Sequence, residues 1–310
     1  MSGANPGACP PDGGADVLAH FRRLNTWRRG DVRAPHKPLL LLLVLGRLHR
    51  GQRQLPFTEC ETALSALLRA FGPGAKTLHP EYPFWRLQHD GLWVVSASRH
   101  VALRSPRHDP TKAELRAAQA VGQLASDALM ALDGSPERLD QAAQVLLDDN
   151  FPTTLHADIR AAVGLDELDV ADAARHRRRR DPHFRQAVLQ AYGFRCAVCA
   201  LDLRMGELSL GLEAAHIQWH MAHGPDSIDN GLALCAMHHK LFDLGALTVA
   251  DGHQIWVSDH VQGGERFEEV LMRHHAQPLQ GPILPEHRPA PPYVAWHRAQ
   301  VFKGQPSSGR

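Results

Sequence analysis

The stretch that decides the reading is Asp229-Asn230-Gly231-Leu232-Ala233-Leu234-Cys235-Ala236-Met237-His238-His239-Lys240. An apolar, strand-like run ends on Cys235, and a helix carrying His238, His239 and Phe242 follows. Upstream lies Cys196-Ala197-Val198-Cys199. A lone Cys-x-x-Cys carries little weight. Paired with a Cys-x-x-His it supplies the four ligands of a closed tetrahedral site, so Cys196, Cys199, Cys235 and His238 are expected to hold a structural zinc. Three of the chain's five cysteines fall in this pattern, and an odd cysteine count argues against a disulfide framework.

Between the two knuckles, Glu213-Ala214-Ala215-His216-Ile217 reads as a short strand ending in His216. A polar loop with His220, His223, Gly224 and Pro225 leads on to Asn230. With 21 histidines in the chain, any one of them says little. The order His, then Asn-Gly-Leu, then Cys-x-x-His-His says much more. It resembles the HNH nuclease family, whose fold is the ββα-metal finger, over about residues 182–257.

The resemblance implies His216, Asn230 and His239 as the catalytic His, Asn and His, and leaves His238 to the zinc. Phosphodiester hydrolysis needs a base for the attacking water and charge relief at the leaving oxygen. A neutral His216 suits the first task, and a Mg²⁺ or Mn²⁺ held by His239 suits the second. Asn230 is expected to orient the His216 ring through a backbone or side-chain hydrogen bond. One position departs from the family. Many members place Asp immediately before the first His, where this chain has Ala215. Glu213 shares a strand face with Ala215 and could supply the carboxylate, although a plain surface Glu is equally open. Asp243 is a second carboxylate nearby, read as a cap or a structural salt bridge.

The 310-residue chain as a whole is ordinary in composition, with 44% hydrophobic and 22% charged residues. The net charge of +1 excludes a globally basic nucleic-acid binder, so any such surface is local. The run Pro38-Leu39-Leu40-Leu41-Leu42-Leu43-Val44-Leu45 stops far short of a membrane span and reads as a buried helix. A first helix begins near Asp16 with Leu18, Phe21, Leu24 and Trp27 on one face. Thr58-Glu59-Cys60-Glu61 predicts a capping box for a third helix that Gly72 ends. Asp90-Gly91, flanked by Phe84–Leu87 and Leu92–Val95, predicts a β-hairpin. Further helices are predicted near 111–131, 136–148 and 154–163, and a linker over 166–181. The fold class is therefore α+β: a mainly helical N-terminal domain with a β-hairpin (16–165), joined to a zinc-braced HNH domain (182–303). The Pro-rich tail around Leu284–His297 reads as a strap on the nuclease domain.

Two N-terminal patches carry chemistry. Arg33-Ala34-Pro35-His36-Lys37-Pro38 sets three basic side chains in a stiff turn at a helix start, where phosphate binds well. His79-Pro80-Glu81-Tyr82-Pro83-Phe84-Trp85-Arg86 brings rigid apolar and aromatic groups together. A solvated turn and a hairpin core are the plainer readings. Taken together, the two patches resemble the sulfur-binding domain of phosphorothioate-dependent restriction endonucleases, a family that joins such a domain to an HNH nuclease. The resemblance implies an apolar cup of Tyr82 and Pro83 with Arg33, His36 and Lys37 as a charged rim. The expected partner is double-stranded DNA carrying a phosphorothioate, cut by a homodimer in the bacterial cytoplasm. Two other readings stay open: an HNH nuclease that reads a modified base or plain sequence, and a non-catalytic zinc-containing DNA-binding regulator.

Overall fold

The computed structural model describes residues 13–24, 35–74, 77–98, 108–166, 182–206 and 208–307. Arg33, Trp27 and most of the expected linker lie outside these residues.

The N-terminal half is built around α2 (His36–His49), which follows α1 (Gly13–Arg22). Leu39, Leu40, Leu41, Leu42 and Leu45 of α2 are fully buried. A helix apolar on every side must be enclosed by other elements, and the rest of the half encloses it. In chain order these are β1 (Gln54–Pro56), α3 (Phe57–Phe71), α4 (Glu81–Arg86), β2 (Trp93–Ser96), α5 (Lys112–Ala117), β3 (Val121–Leu124), α6 (Ser126–Leu132), α7 (Pro136–Asn150) and α8 (Thr153–Val163). The strands form one antiparallel sheet in the order β1-β3-β2. Among the described residues, no helix is long and apolar enough to cross a membrane.

Three local expectations are corrected here. The hairpin does not form: its first arm is α4 with a 3-10 turn (Leu87–Asp90), and Gly91 caps that turn at φ 72°. A left-handed glycine ends a helix as readily as it turns a hairpin. Phe84 and Leu87, one helical turn apart, bury together, and Phe84 packs edge-on against Phe57 at 5.1 Å. The second arm, β2, pairs instead with β3 in the register Trp93↔Leu124. The single helix expected over 111–131 is broken by Gln119 at φ 49° into α5, β3 and α6. The capping box at Thr58 is also absent, because α3 starts two residues earlier, with Pro56 at its N-cap and no side-chain cap. Thr111 and Glu114 form that box at α5. The starts of α7 on Ser135-Pro136 and of α8 are as expected.

In the C-terminal half, α9 (Pro182–Ala191) precedes a two-residue ribbon, β4 (Arg204–Met205) and β5 (Leu208–Ser209). Strands β6 (Leu212–His216) and β7 (Gly231–Cys235) pair antiparallel, Leu212 opposite Cys235 and His216 opposite Gly231. Helix α10 (Ala236–Asp243) follows directly, then β8 (Leu247–Val249) paired with β9 (Ile255–Val257), α11 (Arg266–Val270) and α12 (Pro291–Gln300). The tail does pack as a strap. His297 of α12 is fully buried, stacks on Phe242 at 3.7 Å and hydrogen-bonds Thr248.

The two halves are not beads on a linker. Trp219, Trp296 and Val301 are buried within the N-terminal core, and Trp219 meets Trp296 edge-on at 6.0 Å. Lys303 also donates to the Gly72 carbonyl.

Candidate active site and nucleic-acid interface

The metal knuckles converge as the spacing demands. The cysteine sulfurs of Cys196, Cys199 and Cys235 and a ring nitrogen of His238 all lie within 4.8 Å of one another. The backbone N–H of Ala197 donates to the Ala233 carbonyl, which ties the first knuckle to β7 and so to the second. Nδ1 of His238 sits 3.2 Å from the Cys235 sulfur, and Nε2 sits 3.3 Å from the Val270 carbonyl. A ring whose far nitrogen is held by a carbonyl is oriented as metal-bound histidines usually are. Hydrogen bonds from the Cys199 and Cys235 thiols hold Cys196 well below the usual thiol range. These four residues could hold a metal ion, and their donors suit zinc.

The ends of β6 and the middle of α10 form a second cluster. Nδ1 of His239 is 2.6 Å from Oε2 of Glu213, and Nε2 is 3.2 Å from Oδ2 of Asp243. Burial works against a charge on this ring, but Asp243 and Glu213 outweigh it and raise His239 to about 9. The ring is thus itself the cation held between Glu213 and Asp243, and a carboxylate oxygen beside an imidazole nitrogen is also a donor set that could take a divalent ion. Asp243 is no plain cap: it is 3% exposed and bound to the ring.

His216, half-buried at the end of β6, stacks on Phe184 of α9 with centroids 4.0 Å apart. Its Nε2 is 2.7 Å from Oδ1 of Asp226. That contact assigns the ring proton to Nε2 and leaves the lone pair on Nδ1. Burial lowers the His216 pKa, only partly offset by Asp226, so the ring is neutral at pH 7.

The Asn230 side chain is engaged within its own loop. Its Oδ1 accepts from Gln218 N at 2.8 Å, and its Nδ2 donates to the Gln218 and Pro225 carbonyls. No hydrogen bond runs from its side chain to the His216 ring. It instead closes the loop between β6 and β7, where Gly224 lies so near that an added Cβ would fall 1.8 Å from the Gln218 carbonyl oxygen. Orientation of the ring falls to Asp226 and Phe184, which sequence reasoning missed. Asp226 stood in the polar loop already singled out, but nothing local marked it as the partner of His216.

In the N-terminal half, the start of α2 meets the 3-10 turn that follows α4 through a salt bridge from Lys37 to the Asp90 carboxylate, which is 5% exposed. Lys37 is therefore half-buried and engaged within the protein rather than standing on an open rim. His36 is half-buried beside it. Tyr82 is 39% exposed, whereas Pro83 is buried, so these two do not form one exposed cup. The neighbours of Tyr82 are His79, stacked on it at 4.7 Å, and Arg86, whose guanidinium lies 4.8 Å from the ring centroid. One helical turn separates Tyr82 from Arg86, which puts both on the same face of α4. The exposed group is thus His79, Tyr82 and Arg86.

Comparison with known proteins agrees in both halves. The family described as "ScoMcrA-like, DNA sulfur-binding domain" matches residues 14–168, and "HNH endonuclease" matches residues 196–250. The solved sulfur-binding domain of ScoMcrA complexed with phosphorothioated DNA is 26% identical, with a TM-score of 0.43, over 49% of this chain and 98% of its own. The Type IV phosphorothioation-dependent restriction endonuclease ScoMcrA is 26% identical, with a TM-score of 0.41, over 49% of this chain and 32% of its own. The SprMcrA sulfur-binding domain complexed with phosphorothioated DNA is 26% identical, with a TM-score of 0.39, over 50% of this chain and 96% of its own. No curated protein matches.

Proposed function

We propose, from the premise that this chain belongs to the ScoMcrA-like DNA sulfur-binding family and carries an HNH endonuclease domain, that it binds phosphorothioated DNA and cuts the backbone nearby. The observation that carries the proposal is the pairing of Glu213 with His239 beside the strand of His216, in a chain whose other half matches a sulfur reader.

In this reading His216 takes the proton of the attacking water at Nδ1, and Asp226 steadies the imidazolium that forms. Phe184 holds the ring plane, and Asn230 fixes the loop that carries Asp226. Glu213 and His239 would hold a Mg²⁺ or Mn²⁺, whose chemistry there would be charge relief on the phosphate and the leaving 3′-oxygen. Cys196, Cys199, Cys235 and His238 hold a structural zinc away from the DNA. One such site cuts one strand, so a double-strand break takes a homodimer or two successive nicks. The site of action is the bacterial cytoplasm, where the DNA lies.

Sulfur is larger and softer than oxygen and a poorer hydrogen-bond acceptor, so it is best read by packing. Tyr82 supplies the exposed apolar face, with Pro83 beneath it stiffening α4. Arg86, paired with Asp109, and His79, paired with Glu81, would exchange these partners for the flanking phosphates, together with His36 and Arg33. A non-catalytic regulator would have no use for a neutral His216 held by Asp226 next to a Glu213–His239 pair.

The test uses the full chain with Mn²⁺ and two duplexes of one sequence, differing by a single phosphorothioate. Cutting of the sulfur-bearing duplex alone is expected. Equal cutting of both would leave a nuclease with a different reader.

A further inference from the structure

The reading half reaches the nuclease helix itself. Thr154, in the first turn of α8, donates its hydroxyl to Oδ2 of Asp243, the last residue of α10. That same oxygen faces Nε2 of His239 at 3.2 Å. Beside them, Lys240 of α10 binds the Thr154 carbonyl and the Asp158 carboxylate of α8. On the other side of the site, Trp219, three positions beyond His216, is buried in the N-terminal core. Both catalytic histidines therefore sit on segments anchored in the domain that matches the DNA reader.

We propose that Thr154 is a positioning residue of the nuclease site, supplied by the reading half; this rests on the assignment of His239 as a metal-holding residue. The Thr154 hydroxyl fixes the Asp243 carboxylate, which accepts the Nε2–H of His239. Nδ1, which faces Glu213, is then the nitrogen that would give up its proton to a metal ion. A carboxylate behind a ligating histidine sets both tautomer and ring orientation, and losing such support typically weakens metal affinity about 10- to 100-fold. Asp243 has almost no water to replace a lost partner, since its side chain is 2% exposed. The nuclease domain alone lacks this hydroxyl, so the cutting site is complete only when α8 is docked on α10.

The experiment compares full-length Thr154→Val, which keeps the shape and removes the hydroxyl, with Thr154→Ser, which keeps the hydroxyl. Cleavage of phosphorothioated duplex is measured across a Mn²⁺ titration, with melting temperature and duplex affinity alongside. Thr154→Val should raise the Mn²⁺ needed for half-maximal cutting about 10- to 100-fold. Thr154→Ser should remain near wild type, and duplex affinity should not change in either. A wild-type Mn²⁺ requirement in Thr154→Val overturns the proposal. So does an equal loss in both variants that tracks a lowered melting temperature, which is a purely structural role. Glu213→Gln and His239→Ala run in parallel: if both keep the wild-type Mn²⁺ requirement, the metal assignment itself falls, and Thr154's role falls with it.

Discussion

His239 on α10 and Glu213 on β6, 26 residues apart in sequence, meet at 2.6 Å between Nδ1 and Oε2. The antiparallel register places Glu213 opposite Leu234, so its side chain stands beside the first turns of the helix that β7 enters. A carboxylate therefore lies against the last histidine of the motif, although the position before His216 is Ala215.

Glu213→Gln keeps the shape of this side chain and removes its charge. Cutting at limiting Mn²⁺ should fall at least about 10-fold and recover partly as Mn²⁺ is raised, because a divalent ion has lost an anionic oxygen donor. A Mn²⁺ titration of single-turnover cleavage measures this. An unchanged curve would return Glu213 to the surface.

His216→Ala should lose cleavage while keeping affinity for DNA, since it removes the proposed base and the ring touches no part of the reading half's exposed face. The pH dependence gives a finer check. Burial lowers the His216 pKa below 6.5, so at saturating metal the acid limb of cleavage should lie below pH 6.5, with activity rising as pH climbs through it. Asp226 pulls that pKa upward, so Asp226→Asn should move the limb to still lower pH and reduce the rate. A limb that moves upward would contradict the assigned contact.

Cys199→Ser should act on folding rather than on chemistry. Structural zinc binding is itself folding energy, and Cys199 is the most accessible of the three sulfurs in the cluster. Elemental analysis should find one zinc per chain in wild type and less in the variant, with a lower melting temperature. Full zinc content in the variant would refute the four-residue site.

The nuclease core was legible because its logic is local. Knuckle spacing, strand, loop and helix all fall within about 60 residues, and each ligand type announces its own chemistry. The N-terminal misreadings have one physical source: a short signal that serves two structures. Asp90-Gly91 fits a hairpin turn and a helix end alike, and the choice was made by Phe84 and Leu87 packing inward and by Lys37 reaching Asp90 from α2. Strand β3 was hidden inside a helical-looking stretch because its partners, β1 and β2, lie far away in sequence. Phe184, Asp226 and Thr154 escaped notice for the same reason. Each acts across a tertiary contact that no periodicity records. Lys37 shows the converse: its residue type suggested a phosphate contact, and the fold spends it on a buried carboxylate.

The central claim is that the N-terminal half distinguishes sulfur from oxygen, and equilibrium binding by the cleavage-dead His216→Ala chain tests it most directly. A phosphate oxygen placed against an apolar face forfeits hydrogen bonds to water, at about 1–3 kcal/mol for an unsatisfied polar group. Sulfur forfeits little. A duplex with one phosphorothioate should therefore bind about 10- to 100-fold more tightly than its all-oxygen twin at the same salt concentration. Tyr82→Ala should collapse that ratio toward one. Equal affinity for the two duplexes across several sequence contexts would contradict the account.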